Sequence, residues 1–180
     1  MPLSRKGKPS SRFDVNVTSR QAAWLQRQLE VAKGGRTGWM SRLMQEVIPF
    51  NRPHRLRVQT LTDHSCEVLL PWRRRNLNHV GTMHACALAT AAEYASGLCV
   101  LSALGVGKAR LVMAELNMTY QRRAESACVA CASLPSDVLE QVKEKLGQEG
   151  RAAFDLHSEV QDAEGEVVAE ARITWHLKSL

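Results

Sequence analysis

Residues 84–104 read HACALATAAEYASGLCVLSAL. Ala, Ser, Gly and Cys dominate, and Glu93 is the single charge between residues 85 and 107. A membrane span is disfavoured, because an acid at mid-span costs roughly 2.5–3.5 kcal/mol on an insertion scale. The stretch predicts a buried helix whose small side chains let a sheet approach closely. One acid in the middle of such a helix is costly to bury unpaired, which marks Glu93 for function.

Outward from this helix the hydrophobic period changes to two. Upstream, Leu56, Val58 and Thr60 alternate with polar residues, as do Cys66, Val68, Leu70 and Trp72, with a turn near Asp63-His64. These read as two antiparallel strands. Downstream, Val112, Ala114, Leu116, Met118 and Tyr120 are placed on one strand face, followed by Ala127, Val129 and Cys131. Ser136 is expected to cap a short helix ending at Gly147. Two last strands carry Phe154, Leu156, Ser158 and Val160, then Val167 to Leu177 in alternation, joined by Asp162-Ala163-Glu164-Gly165.

The N-terminal part is helical in pattern. Thr18 and Gln21 form a capping box opening a helix to about Ala32, stopped by Gly34-Gly35. Thr37 is expected to cap a second helix. Trp39, Leu43 and Val47 form one apolar stripe there, and Met40, Met44 and Ile48 another, so this helix must pack. The expected division is a basic flexible tail at 1–16, a helical extension at 17–52 and one domain at 53–180. Its class is α+β: an antiparallel sheet with one apolar face must be covered, and the long uncharged helix is the natural cover. A sheet wrapped around a central helix is the hotdog fold.

The 180 residues carry a net charge of +6, and all of it lies in residues 1–36, where eight Lys/Arg face only Asp14 and Glu30. A nucleic-acid-binding domain would be basic across a folded face with a recognisable motif, so nucleic acid is excluded as a partner. The tail is expected to be solvated or to make weak contact with anionic surfaces. Five cysteines, an odd number without secreted-domain spacing, and the lack of an apolar run after the basic N-terminus point to a cytoplasmic protein with free thiols. Cys128 and Cys131, three apart on a strand, point to opposite faces and make a poor metal pair.

The densest polar cluster is Asn76-Leu77-Asn78-His79-Val80-Gly81-Thr82-Met83-His84, leading to Glu93. It resembles the hotdog-fold acyl-CoA thioesterases, in the branch of the phenylacetate-pathway and human thioesterase-superfamily proteins, and an uncharacterised thioesterase-like subgroup of them. The pattern there is Asn, a Gly-containing loop, His-Gly-Gly, and an acid nine residues after the His. Asn78, Gly81, His84 and Glu93 match it, and Ala114 to Tyr120 resembles the family's third strand. His-Gly-Gly is here His84-Ala85-Cys86, and Met113 stands where some relatives carry a hydroxyl.

The resemblance implies a thioesterase in which Glu93 activates water or attacks the carbonyl. The Ala85 N–H would hold the oxyanion, and Asn78 and His84 would position substrate. Gly81, Thr82, Arg122 and Arg123 are the expected substrate-binding residues, the arginines toward coenzyme A phosphates. The substrate would be an acyl-CoA or acyl-carrier thioester, with no metal or other cofactor. Nine residues of helix separate His84 and Glu93 by about 13.5 Å along the axis. That predicts a homodimer or dimer of dimers, with Glu93 of one chain meeting the loop of another. A hotdog protein that binds acyl thioesters without hydrolysing them is the alternative.

Overall fold

The computed structural model describes residues 19–180. The basic tail and Thr18 lie outside the described residues. Ten helices and strands follow in the order α1 (Ser19–Lys33), α2 (Thr37–Val47), β1 (Arg57–Leu61), β2 (Ser65–Leu70), α3 (Ala85–Leu104), β3 (Ala109–Tyr120), β4 (Cys128–Ser133), α4 (Ser136–Glu149), β5 (Arg151–Gln161) and β6 (Val167–Ser179). Short 3-10 turns at Pro49–Asn51 and Arg74–Asn76 complete the chain.

The strands form one antiparallel sheet in the order β1-β2-β4-β5-β6-β3. All six touch α3, so the sheet curls around it in the hotdog architecture. By length and composition α3 is apolar enough to cross a membrane. Twelve of its residues are instead buried under the sheet. Small residues make the close approach possible: a Cβ on Gly97 would sit 3.3 Å from the Trp175 ring. The Trp175 indole N–H donates to Ser96 Oγ at 3.2 Å, which satisfies both groups inside the core. Ser102 Oγ donates to the Thr62 carbonyl at 2.6 Å, near the C-terminal end of α3.

The first two helices close the β1 end of the sheet. Ser41 Oγ accepts from the Val58 N–H at 2.9 Å, and Gln45 donates to the Leu56 carbonyl at 3.3 Å. Met40 and Met44 are the buried face of α2, whereas Trp39 and Val47 are more than half or half exposed. Of the Trp39, Leu43 and Val47 stripe expected to pack, Trp39 and Val47 therefore face outward while Leu43 is half-buried against the core, and the methionine stripe is the buried one. The expected cap Thr37 is the first helical residue; Arg36 occupies the cap position without a side-chain bond. Ser136 is likewise inside α4, which Pro135 precedes, and that helix runs through Gly147 to Gly150 in the left-handed conformation. 

Two bulges change the expected strand faces. In β1 the register slips between Val58 and Thr60, so Leu61 is buried and Thr60 exposed. In β3 it slips between Met113 and Glu115. Leu111 and Met113 oppose core residues Leu177 and Trp175, then Leu116 and Met118 oppose Ile173 and Ala171. Val112 thus falls on the outer face opposite His176. In β4 the buried set is Cys128, Ala130 and Ala132, one residue out of phase with the expected set. Cys128 is buried and Cys131 half-buried, on opposite faces as expected for a strand.

Candidate active site

The loop before α3 is built by two asparagines. Asn78 accepts from the N–H groups of Val80 and Thr82 at 3.0 and 3.1 Å, and its amide donates to Thr82 Oγ1 at 2.8 Å. Its backbone N–H bonds the Thr82 carbonyl, and Gly81 supplies the turn at φ +81°. Asn78, Gly81 and Thr82 thus form one self-bonded turn. Asn76 is fully buried, and its amide donates to the carbonyls of His54 and Pro71 at 3.0 and 2.9 Å. Its carbonyl accepts the His84 N–H at 2.8 Å. Sequence reading placed no role on Asn76; its position directly after Arg73-Arg74-Arg75 in a polar loop gave no periodic signal of burial.

His84 is the N-cap of α3, and its Nδ1 accepts from the Cys86 N–H at 3.0 Å. That bond requires a lone pair on Nδ1, so the neutral ring carries its proton on Nε2. The neighbouring Ala85 N–H is bonded to nothing among the described residues, at an exposed helix N-terminus. The Tyr120 hydroxyl donates to the Ala85 carbonyl at 3.1 Å and fixes this end of the helix against β3.

Glu93 lies two turns further along. Its carboxylate makes no hydrogen bond or ion pair among the described residues, and burial pushes its pKa up. Cys86, Ala89, Thr90 and Glu93 are the residues of the first nine in α3 that escape full burial besides Ala85 itself. Their spacing puts them on one face. The same helix face is closed at Gly97, which is buried against Trp175, the cross-strand neighbour of Met113. With Tyr120 at the other end, the open face of α3 borders β3. Cys86 and Thr90 were not singled out from sequence, although their spacing to Glu93 holds the signal.

β3 is itself an edge strand, with β6 on one side and Val112, Met113 and Tyr120 exposed. Arg122 pairs with Glu166 at 2.5 Å, and Arg123 is exposed. Neither makes a hydrogen bond or ion pair with Glu93 among the described residues.

Among solved structures, the chain is similar to PA5026 of Pseudomonas aeruginosa, described as a protein of unknown function and probable thioesterase. Identity is 29%, coverage 78% of this chain and 95% of that one, and TM-score 0.72. A Chlorobaculum tepidum protein of unknown function, OLEI01261, aligns at 14% identity, 88% and 97% coverage and TM-score 0.70. The thioesterase HI1161 of Haemophilus influenzae aligns at 16% identity, 73% and 83% coverage and TM-score 0.58. No curated protein matches the chain. Residues 36–177 match the family described as Domain of unknown function (DUF4442), so this thioesterase-like hotdog protein belongs to that family.

Proposed function

We propose that the protein hydrolyses acyl thioesters, acyl-CoA or a related acyl carrier, as a homodimer. The observation that carries this reading is the open face of α3, where an unpaired Glu93 carboxylate and an unbonded Ala85 N–H are both available. Thioester hydrolysis needs a base for water and a donor for the developing oxyanion. Glu93 takes a proton from water as the water oxygen attacks the thioester carbon. The Ala85 N–H, at a helix N-terminus, receives the tetrahedral oxyanion. The C–S bond then breaks, the thiolate leaves and is protonated, and the acid is released. Asn78 and His84 act as positioning residues, one holding the loop and the other the first turn.

Ala85 and Glu93 are eight residues apart, about 12 Å along the axis, so one helix cannot set both on the same carbon. A two-fold pairing along β3, which borders the open face, supplies the second helix terminus from a partner. Such a dimer is the natural cover for an edge strand of twelve residues.

Two observations favour the second reading, thioester binding without hydrolysis. Ala85 adds a methyl group where a close backbone approach is needed, and Met113 offers no hydroxyl. A panel of acyl-CoA thioesters assayed by free-thiol release distinguishes the two. Wild-type turnover with at least ~100-fold loss in a folded Glu93→Gln variant is expected for loss of a general base. Saturable binding without turnover supports the binder, and full turnover by the variant overturns the role of Glu93.

A further inference from the structure

A cleft of about 800 Å³ lies between α2 and β1, at the opposite edge of the sheet from β3. Four arginines line it, Arg42 from α2, Arg55 and Arg57 around the start of β1, and Arg73 from the turn after β2, and no acid does. None of the four side chains makes a hydrogen bond or ion pair among the described residues. The carboxylates on flanking elements are engaged elsewhere: Glu46 pairs with Arg52, and Glu67 accepts from Thr60 at 2.7 Å.

Two features show that this is a built arrangement. Nη1 of Arg73 is buried with no partner, and an unsatisfied buried donor on a cation is among the most costly groups a fold can keep. Arg55 is the one non-glycine residue with a positive φ, at 56°, among the described residues. A left-handed arginine costs roughly 1–2 kcal/mol. Strain of this kind is retained where the surrounding structure over-determines it. Ser41 and Gln45, which also line the cleft, are the residues that bond α2 to β1, so its two walls are held at a fixed separation.

We infer that this cleft binds a phosphate-bearing anion. Four arginines, three of them exposed and Arg73 half-buried, line one concavity that no acid lines. Guanidinium matches phosphate oxygens in bidentate geometry, and a multiply charged phosphate offsets more of the mutual repulsion than a carboxylate can. The inference does not rest on thioester hydrolysis, because the cleft and its charge are independent of Glu93.

Calorimetric titration of the full-length protein at low ionic strength, with inorganic pyrophosphate and with adenosine 3′,5′-bisphosphate, tests it. Saturable binding that weakens as salt is raised, and that falls at least ~10-fold in an Arg42→Gln/Arg57→Gln variant with an unchanged circular dichroism spectrum, is expected. If the double variant does not fold, Arg57→Gln alone, on an exposed edge-strand position, carries the same comparison. Tight binding of the bisphosphate, with a raised KM for acyl-CoA in the variant, assigns the anion to the nucleotide end of that thioester. Binding of pyrophosphate with unchanged KM assigns it to a separate phosphorylated ligand. No saturable binding of either probe by the wild type, or equal binding by the variant, overturns the inference.

Discussion

At the scale of single residues, Glu93 joins chemistry to stability. Burial raises its pKa in the folded chain above the unfolded value, so the folded state holds the proton in the window between them. Its contribution to stability is therefore full below the ordinary carboxylate range and is lost as pH rises through the raised value. Glu93→Gln removes that penalty. The variant is expected to melt above wild type at neutral pH. The two melting curves converge near pH 4, where the wild-type carboxyl is protonated. Scanning fluorimetry across pH checks this, and a variant less stable at neutral pH would show that the carboxylate has a stabilising partner. His84 and Asn78 differ in kind: their side chains are consumed by local backbone bonds. Spacing alone made all three look alike, since a sequence does not show whether a polar group is already satisfied.

Among the elements, α2 has the clearest structural duty. It buries Met40 and Met44, each worth roughly 1.5–3 kcal/mol, and supplies the side-chain partner of the Val58 N–H. Removing residues 1–50 would strip this cover and leave a buried donor unsatisfied, at about 1–3 kcal/mol more. Against a typical total of about 5–15 kcal/mol, aggregation or a large loss of melting temperature is expected. Removing only residues 1–15 should leave melting unchanged. A stable, monodisperse long truncation would refute the packing role. The element order, and the central helix nearly to the residue, were legible in the sequence because period and composition changed sharply at each boundary. The faces of α2, β3 and β4 were not. Two apolar stripes on α2 compete on hydrophobicity alone, and only the position of β1 selects the methionines. A bulge shifts the phase of β3 without altering its composition.

For the whole molecule, assembly decides whether the proposed site is complete. An edge strand of twelve residues with Val112, Met113 and Tyr120 exposed is expected to pair with a second copy. Light scattering should therefore give at least twice the chain mass of 20.0 kDa. Met113→Lys places a charge on the exposed edge and is expected to shift the protein toward monomer, with turnover lost in parallel. A monomer that retains full turnover would refute the two-chain site. The β3 bulge sets a further condition on this strand's evolution. Met113 faces Trp175 and Glu115 faces Thr174, so Ala114 is the extra residue. Deleting it would leave every other side chain on its present face and merely straighten the strand. An insertion or deletion anywhere else in the strand would invert half of it, as a frameshift does to a message. Position 114 is thus where this edge can change length, and so its curvature, without rewriting its surface.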